Sequence, residues 1–530
     1  MPEAASQGKP QRFGQGGCRD RVTEVGASAH NPPALLLVVL GLYFGLLGLL
    51  TVLCLERLGL TVVALFSRRQ PEVQAPLDGR APSLLVQLPI YNEALVAERL
   101  LRAVAKLRYP GPLTVQVLDD STDETRALVQ RLADELGLVV VRRPSREGFK
   151  AGALAHGLTR SEAELVAIFD ADFVPPPDFL ERTVPALLAD PEVGLVQARW
   201  EHLNRDVRWL TRAQAIFLDG HFAIEHQARH QRGHFFNFNG TAGVWRRQAI
   251  VEAGGWRADT LTEDLDLSYR AQLAGWRFVY LDQVTAPAEL PESFDAFRAQ
   301  QARWVRGSVE TARLLLPKVW RAELPWSVRA DAIIHLCNNF AYLLMAALAA
   351  LLPVAVVVRD QLGWRVPGGR ELLSALDLGL LGGGTLAVAW FYWAAQARLG
   401  RDLSPTRALE LLFALALGAG LSLANAVEVL RGLTLQRSEF LRTPKRGGAE
   451  GGALAVYRPR RSGWWPAAEA AMALYLTAGG VYAIDAGLYG AAPFLALYAW
   501  GFFTIAFGSA KESYRAELPE PSTRPEESMN

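Results

Sequence analysis

Cysteine is scarce in this sequence: only three occur among 530 residues, at positions 18, 54 and 337. One lies in a polar tail and two lie in apolar stretches, so their spacing matches neither a disulfide framework nor a zinc site. Net charge is also nearly absent, because 55 Lys and Arg oppose 54 Asp and Glu. Without a basic surplus, the composition argues against a nucleic acid partner.

Apolar segments, by contrast, are long and numerous. Half of the residues are hydrophobic and the mean hydropathy is +0.11, which is high for a soluble protein. The first apolar run is too long for a signal peptide, and no small-residue cleavage site follows it. The runs that are long enough to cross a bilayer are Ala34–Leu55, Ile333–Val358, Leu376–Ala395, Ala467–Ala483 and Ala491–Phe507. They predict a multi-pass protein of the cell membrane.

A further apolar stretch, Leu409–Leu430, has two interpretations. If it crossed the membrane, the strongly basic loop that follows it would lie outside, which the positive-inside rule opposes. We therefore expect a helix that lies at the cytoplasmic interface of the bilayer. A sixth ordinary span is the alternative.

These segments divide the chain into seven parts with different expected roles. We expect a disordered tail over 1–33, a transmembrane helix over 34–66, a cytoplasmic α/β catalytic domain over 67–325, two transmembrane helices over 326–400, an interface helix and a loop over 401–465, two transmembrane helices over 466–510, and a C-terminal tail over 511–530.

The central part alternates apolar runs with amphipathic helical patterns. This alternation is typical of a mostly parallel sheet with both faces covered. In such sheets, ligands bind beyond the carboxyl ends of the strands. The predicted buried strands are Leu84–Ile90, Thr114–Leu118, Leu138–Val141, Leu165–Phe169 and Val193–Gln197.

Acidic pairs follow two of these strands. Asp170 and Asp172 alternate at a strand end, where their oxygens suit a Mg²⁺ or Mn²⁺ ion that bridges a diphosphate. The alternative is a solvated turn. Asp119 and Asp120 are candidates to contact a nucleobase, a ribose or a diphosphate. The Ser and Thr that follow them are also good helix caps, so both roles are compatible.

Three further side chains extend this set. Tyr91 and Glu93 follow the first strand and are candidates to hold the base. Lys150 lies in a short glycine-containing stretch and is a candidate to meet a phosphate oxygen. The alternative for Lys150 is an ordinary surface charge.

The run Thr262, Glu263 and Asp264 begins a predicted helix, Asp264–Leu273. The helix dipole favours carboxylates there, which is the structural interpretation. The functional interpretation makes Asp264 a general base that takes the proton from an attacking acceptor hydroxyl. A single displacement requires no second, nucleophilic carboxylate, so the product would have inverted configuration.

Gln300, Arg303 and Trp304 share one face of a later predicted helix, because residues three and four apart are neighbours on a helix. Trp304 offers a flat face on which a sugar ring can stack, and Arg303 can bind a pyrophosphate. The alternative is a Trp/Arg pair that anchors the helix at the lipid headgroups.

Stretches from VQLPIYNE and VLDDSTDET through FNFNGTAGVWR and TEDLDLSYRA to QQARWVRG resemble the processive family-2 glycosyltransferases. Within these they are most similar to the cellulose-synthase-like A and C proteins, which include glucomannan mannosyltransferases. The resemblance implies an α/β GT-A domain, Rossmann-like with a mostly parallel sheet, joined to an α-helical transmembrane region. The candidate residues are then Asp264, Glu263 and Asp120 for catalysis; Tyr91, Glu93, Asp119, Asp120, Lys150, Asp170 and Arg303 for the donor; Gln300, Trp304 and Thr262 for the acceptor; and Asp170 and Asp172 for the metal, Mg²⁺ or Mn²⁺.

The resemblance implies an inverting β-glycosyltransferase that moves a hexose from GDP-mannose or UDP-glucose to a growing β-1,4-linked mannan, glucomannan or glucan, coupled to translocation. The segment from Ser438 to Gly447 resembles the gating loop of this family, which folds over the nucleotide. Three alternatives remain open. They are a non-processive enzyme making a glycolipid, a chitin- or hyaluronan-like synthase, and a catalytically idle membrane transport or scaffold protein.

Overall fold

The structure is a computed structural model and describes residues 34–67, 81–363, 369–434, 445, 447 and 463–517. A long helix α1 (Ala34–Phe66) comes first, an α/β part follows, and a group of apolar helices completes the described chain. The strands within these ranges are β1 (Leu84–Ile90), β2 (Leu113–Asp119), β3 (Val139–Val141), β4 (Leu165–Ile168), β5 (Val193–His202), β6 (Gly243–Arg246) and β7 (Arg277–Ala288).

All seven strands form one sheet in the order β3-β2-β1-β4-β6-β5-β7. The pairs β1–β2, β1–β4, β2–β3 and β5–β7 are parallel, and β6 runs antiparallel to both of its neighbours. The predicted mostly parallel sheet is confirmed, and its five predicted strands are present. The sequence pattern missed β6 and β7. The apolar run in β6 is short, and β7 mixes polar with apolar residues.

Helices cover the sheet on both faces. The amphipathic helix α2, for example, buries Val96, Ala97, Leu100, Leu101 and Val104, a stripe at helical spacing that packs on the sheet. A π-helical segment, His221–His226, joins α6 to α7. The helices of this part are α2 (Ala94–Val104), α3 (Thr125–Leu136), α4 (Phe149–Leu158), α5 (Phe179–Leu188), α6 (Trp209–Gly220), α7 (Gln227–Gln231), α8 (Arg247–Glu252), α9 (Glu263–Leu273) and α10 (Phe294–Arg321).

The remaining helices are largely apolar. They are α11 (Trp326–Cys337), α12 (Ala341–Gly363), α13 (Gly369–Asp377), α14 (Gly383–Arg398), α15 (Pro405–Gly420), α16 (Ser422–Thr434), α17 (Trp465–Asp485) and α18 (Ala492–Glu517). A 3₁₀-helical segment, Asn338–Phe340, joins α11 to α12, and a π-helical segment, Leu378–Gly382, joins α13 to α14. The stretches long and apolar enough to cross a membrane are Ala34–Phe66, Trp326–Gln361, Glu371–Arg398, Trp465–Asp485 and Ala492–Tyr514.

Each of these five stretches contains or overlaps a predicted apolar run. The stretch Leu409–Leu430 differs, because it is not one helix but the pair α15 and α16, bent by 46°. Near the bend, α15 packs closely against α18, and glycine residues make this close approach possible. A Cβ atom on Gly420 would lie 2.4 Å from the carbonyl oxygen of Gly501 in α18. If the bent pair is one span, the described helices can make six crossings rather than five.

Three predicted segments fall partly or wholly outside the described residues. Nothing is described of 1–33, and only residues 511–517 of the expected C-terminal tail are described, where they continue α18. Of the gating-like segment 438–447, only Lys445 and Gly447 are described.

Candidate active site

A cavity of about 190 Å³ lies at the carboxyl edge of the sheet. Because β1, β2 and β4 are parallel neighbours, the residues that follow them meet at this edge. The structure therefore brings together candidates that are up to 213 positions apart, from Tyr91 beyond β1 to Trp304 on α10. The predicted site residues that line the cavity are Tyr91, Glu93, Asp120, Lys150, Asp170, Asp172, Thr262, Glu263, Asp264, Gln300, Arg303 and Trp304.

The two acidic residues at the end of β2 differ in position. Asp120 lines the cavity, and its carboxylate accepts two hydrogen bonds from Arg143, at 2.5 and 2.8 Å. Asp119 does not line the cavity. Its side chain is buried and accepts from Nε of Arg142 at 2.9 Å and from the backbone N–H of Ser121 at 3.0 Å. In this structure Asp119 holds the turn after β2, whereas Asp120 reaches the cavity.

An aromatic and cationic pair forms one end of the cavity. The guanidinium carbon of Arg146 lies 3.4 Å from the ring centroid of Tyr91, a cation–π contact. Glu93 lines the same end. A flat ring with a cation above it and a carboxylate nearby offers a nucleobase both a stacking surface and hydrogen-bond partners.

Lys150, at the start of α4, lies among carboxylates. Its ammonium is 2.5 Å from Oδ1 of Asp170 and 3.9 Å from Oε1 of Glu263, and it donates to the carbonyl oxygen of Gly240 at 2.9 Å. Burial alone would lower the pKa of Lys150, but the carboxylates of Asp170 and Glu263 raise it above its usual value. The lysine is therefore a fixed positive charge in the cavity, and the surface-charge alternative does not apply.

Asp170 and Asp172 fit a divalent cation only if a ligand completes the site. Within the described chain, no group of three or more His, Cys, Asp or Glu side chains could hold a metal ion by itself. Each carboxylate instead faces a lysine, because Asp170 contacts Lys150 and Oδ2 of Asp172 lies 2.7 Å from Lys445. Two hard oxygen donors match the way Mg²⁺ is usually held, by one or two carboxylates together with substrate phosphates.

Lys445 is held in place by Glu289. Its ammonium donates to the Glu289 carbonyl oxygen, and the backbone N–H of Gly447 donates to the Glu289 carboxylate at 3.0 and 3.2 Å. Arg99 contacts the same carboxylate at 3.0 Å. The described part of the gating-like segment therefore lies against the cavity, beside Asp172.

Asp264 occupies the first turn of α9, deep in the site. Its Oδ1 accepts from the backbone N–H of Leu265 at 2.8 Å. Burial, and then the carboxylate of Glu263, raises the pKa of Asp264 to about 7. A carboxyl group with this pKa can accept a proton near neutral pH, as a general base requires.

Gly240 allows this crowding around Asp264. A Cβ atom at this position would lie 2.9 Å from Oδ2 of Asp264 and 3.2 Å from the ammonium of Lys150. Its φ of +81° is also a conformation that favours glycine. The backbone at Gly240 thus lies close to both the candidate base and the candidate phosphate ligand.

The helix α10 presents its predicted face to the same cavity. Gln300, Arg303 and Trp304 all line it, and Arg303 lies within the electrostatic field of Glu263, Asp170, Asp264 and Asp172. A second glycine, Gly307, lets α10 approach α9. A Cβ there would lie 2.8 Å from the backbone nitrogen of Thr262.

A second cavity, of about 490 Å³, continues from the first into the apolar helices. Residues of α1, α11, α12, α14, α15 and α18 line it, together with residues of the α/β part. The residues that line both cavities are Trp200, Leu218, Asn239, Thr262, Asp264, Gln300 and Trp304. We call these seven residues the junction.

The sequence predicted four of the seven junction residues and missed the others. Trp200 and Asn239 lie in stretches that carried the resemblance, VQARWEHLN and FNFNGTAGVWR, yet no pattern assigned them a role. Arg143 and Arg146 were also missed, although a basic cluster directly after β3 was a usable signal. Leu218 has an ordinary apolar helical pattern, so the sequence could not have singled it out.

Residues 82–307 match the sequence family described as glycosyltransferase like family 2. The matched residues include every predicted site residue. The GT-A-like fold expected from the sequence is confirmed by the mixed, mostly parallel sheet described above.

Two relatives make the resemblance more specific. The chain is 45% identical over 252 residues to glucomannan 4-beta-mannosyltransferase 7 of Arabidopsis thaliana, which covers 46% of the chain and 45% of the relative. It is 44% identical over 269 residues to glucomannan 4-beta-mannosyltransferase 1 of Oryza sativa subsp. japonica, which covers 49% of the chain and 51% of the relative. The chain thus spans about half the length of these curated relatives. Its similarity to cellulose-synthase-like glucomannan mannosyltransferases is confirmed over that half.

Among solved structures, the chain is similar to a mannosyltransferase from Pyrobaculum calidifontis that was solved in complex with GDP-Man and Mn²⁺. The identity is 24%, the match covers 70% of this chain and 99% of that one, and the TM-score is 0.44.

Proposed function

We propose that this protein is a membrane-embedded, inverting β-glycosyltransferase that transfers mannose from GDP-mannose to a growing β-1,4-linked mannan or glucomannan. The names of the similar plant proteins support a mannosyl group and a β-1,4 product. UDP-glucose as donor, with a glucan product, is the alternative chemistry for the same site.

The observation that carries the proposal is the position of Asp264, which lines both cavities. On one side of it lie the cations and carboxylates suited to a nucleotide diphosphate. On the other side a larger, mixed polar and apolar cavity runs among the membrane helices. A transferase needs its base between donor and acceptor, and this arrangement supports that role for Asp264.

On the donor side, we assign the base to Tyr91 and Glu93 and the diphosphate to Lys150 and Arg303. Both cations lie near the carboxylate of Asp170 in the ligand-free structure. A bound diphosphate would replace Asp170 as their negatively charged partner. A Mg²⁺ or Mn²⁺ ion held by Asp170 and Asp172 would neutralise charge that builds on the departing diphosphate. Asp120 with Arg143 supports the nucleoside end, and Asp119 acts indirectly, by holding the turn.

The transfer itself is a single displacement. The acceptor hydroxyl oxygen attacks the anomeric carbon, Asp264 takes the hydroxyl proton, and the bond from that carbon to the diphosphate oxygen breaks. Glu263 supports the step by keeping the Asp264 pKa high enough for it to accept a proton. Thr262, Gln300 and Trp304 hold the acceptor end, with Trp304 offering a stacking face.

The second cavity is our proposed path for the product. It begins at the junction and is lined by membrane helices, so a chain extended at Asp264 would enter it. We also propose that the α/β domain is cytoplasmic and that the nucleotide sugar, the polysaccharide and the lipid bilayer are the partners. The ammonium of Lys445 beside Asp172 supports a role for the gating-like segment at the donor site.

Purified protein in nanodiscs tests the proposal. GDP-mannose and UDP-glucose are supplied separately with Mg²⁺ or Mn²⁺, nucleoside diphosphate release is measured, and the product is digested with β-mannanase or β-glucanase. We expect GDP release and a mannanase-sensitive polymer from GDP-mannose.

Each other result has a defined meaning. Glucanase-sensitive polymer from UDP-glucose would replace the donor and keep the mechanism. A lipid-linked product of fixed length would overturn the polymer and support the glycolipid alternative. If none of GDP-mannose, UDP-glucose and UDP-N-acetylglucosamine released its nucleotide, the proposal that this protein is a glycosyltransferase would be overturned.

A further inference from the structure

Asn239, at the junction, has a side chain that the proposed mechanism does not use. Its carboxamide nitrogen Nδ2 donates a 2.9 Å hydrogen bond to Nε2 of His221. Its oxygen Oδ1 is buried and has no hydrogen-bond partner among the described residues. A buried acceptor without a partner is costly in free energy unless a ligand supplies the missing donor.

The hydrogen bond fixes the tautomer of His221. Nε2 accepts a hydrogen bond from Asn239, so the ring carries its own proton on Nδ1, which lies 2.9 Å from Oε2 of Glu225. Glu225 also contacts Arg57 and lies 3.7 Å from Arg229, so its carboxylate lies beside two cations. Burial lowers the pKa of His221 well below its usual range, in agreement with a neutral ring.

Because Nδ2 of Asn239 already donates to His221, its carboxamide oxygen is the group that can bind a ligand at the junction. The position suits a substrate close to the base. The next residue, Gly240, lies so near Asp264 that an added Cβ would be 2.9 Å from Oδ2. A sugar hydroxyl is both a donor and an acceptor, so it can donate to an amide oxygen that has no hydrogen-bond partner among the described residues.

We propose that the Asn239 oxygen accepts a hydrogen bond from an acceptor-sugar hydroxyl next to the one that Asp264 deprotonates. His221, which does not touch the sugar in this arrangement, is a positioning residue that keeps the amide oxygen available. Two adjacent contacts, Asp264 on the reacting hydroxyl and Asn239 on its neighbour, fix how the acceptor ring enters the junction. This inference rests on the proposed glycosyl transfer and names its acceptor contact.

Competition between acceptor and water gives a sensitive test. When the acceptor is poorly held, water takes its place at the anomeric carbon and the donor sugar is released free. With GDP-mannose, Asn239→Ala is expected to raise the ratio of free to polymer-bound mannose about tenfold, the effect of losing one ordinary hydrogen bond. The donor KM should stay within about twofold of the unsubstituted enzyme, because the contact is to the acceptor.

His221 provides the second set of variants. His221→Ala should raise the same ratio of free to polymer-bound mannose. In His221→Gln the ratio should be close to that of the unsubstituted enzyme, because a glutamine oxygen can accept a hydrogen bond from the Asn239 amide. His230→Gln is the matched control. His230 is on α7, packs on Phe236 with ring centroids 6.1 Å apart, and lines neither cavity, so its ratio should not change.

A ratio that stays unchanged in both Asn239→Ala and His221→Ala would overturn the inference, even if total turnover falls, because that pattern indicates a purely structural role. A donor KM that rises in parallel with the ratio would also overturn it and move Asn239 to the donor. Thermal unfolding identifies a misfolded variant, in which case the other variant decides. If the unsubstituted protein makes no polymer from any nucleotide sugar, the proposed function fails rather than this contact.

Discussion

Asp264 carries a carboxyl group whose pKa is raised to about 7 by burial and by the neighbouring Glu263. Below that pH the group is protonated and cannot accept a proton, so the proposed base would work on the alkaline side. A raised carboxyl pKa also means that the charged form is disfavoured in the ligand-free fold. The ionised form of Asp264 therefore lowers the stability of the folded protein at high pH, and the same raised pKa makes the carboxylate a stronger base.

Replacing Asp264 by Asn removes the base while keeping the size of the side chain. We expect polymer synthesis to fall by a factor of about 10² to 10⁴, the usual contribution of general base catalysis. Donor affinity, measured by isothermal titration with GDP-mannose, should change little. An Asp264→Asn protein with full transfer activity would disprove the assignment.

Glu263→Gln tests the electrostatic origin of this pKa. Removing the neighbouring negative charge makes Asp264 easier to ionise, so its pKa should decrease. The pH at which kcat/KM reaches half of its alkaline plateau should therefore move below its value in the unsubstituted enzyme. Arg313→Gln, a change on an exposed part of α10 that lines neither cavity, is the control and should leave the profile in place. A shift to higher pH in Glu263→Gln would contradict the electrostatic account.

At the scale of elements, the site depends on how closely α10 approaches the start of α9. Gly307 makes this approach possible, because any larger residue would meet the backbone at Thr262. The face that carries Gln300 and Trp304 is therefore held at a set distance from Asp264. Helix packing, rather than the individual side chains, determines the geometry of the proposed acceptor end.

Gly307→Ala should disturb this contact. Overpacking of this kind typically costs about 1–3 kcal/mol of stability, and a displacement of about 1 Å at the base can lower activity about 10²-fold. Gly383→Ala is the matched control, because that helical glycine has no atom within 4 Å of the added Cβ and alanine favours helices. Unfolding midpoints and polymer synthesis would both be measured. Equal behaviour of the two variants would refute the packing argument.

The sequence was most informative where a strong local pattern fixed an element. Apolar runs identified β1 and β4, and the positions of Asp120 and Asp170 after parallel strands predicted that they would meet. The same reasoning could not separate Asp119 from Asp120. Which of two adjacent carboxylates faces the cavity depends on the turn after β2 and on its partners Arg142 and Arg143. These arginines follow another strand and were not visible as partners.

The junction shows a second limit of the sequence. His221 lies in an ordinary helical pattern, and its role arises only because a π-helical segment brings it to Asn239, 18 positions further on. The bend between α15 and α16 was missed for a similar reason. The tight contact of Gly420 with Gly501 depends on tertiary packing, which an apolar run does not encode.

At the scale of the whole molecule, buried ion pairs connect the α/β part to the apolar helices. Arg298 of α10 contacts Glu469 of α17 at 2.8 Å and donates to Ser509 of α18 at 3.0 Å. Arg359 is likewise buried and paired with Asp377. The Asp377 carboxylate therefore balances the buried charge of Arg359.

Breaking the Arg298–Glu469 pair should lower the free energy of unfolding. Arg298→Met alone leaves Glu469 buried without its partner, which typically costs about 3–5 kcal/mol. The double variant Arg298→Met with Glu469→Met should recover most of this loss, because an apolar pair carries no desolvation penalty. Denaturant unfolding in detergent micelles measures both. A double variant no more stable than the single one would show that the pair is not the relevant contact.

The contacts of α1 with the α/β part bear on how inhibitors of the proposed transferase should be sought. Arg57 contacts Glu225, and Glu56 lies 3.0 Å from Arg229, so the first helix completes the charge pairing that keeps His221 in one tautomer. A fragment of residues 81–325, without the apolar helices, would keep most residues that line the donor cavity, although not Lys445, and would lose these partners. Compounds selected against such a fragment would favour nucleotide mimics, whereas acceptor mimics would need to be selected against the intact membrane protein.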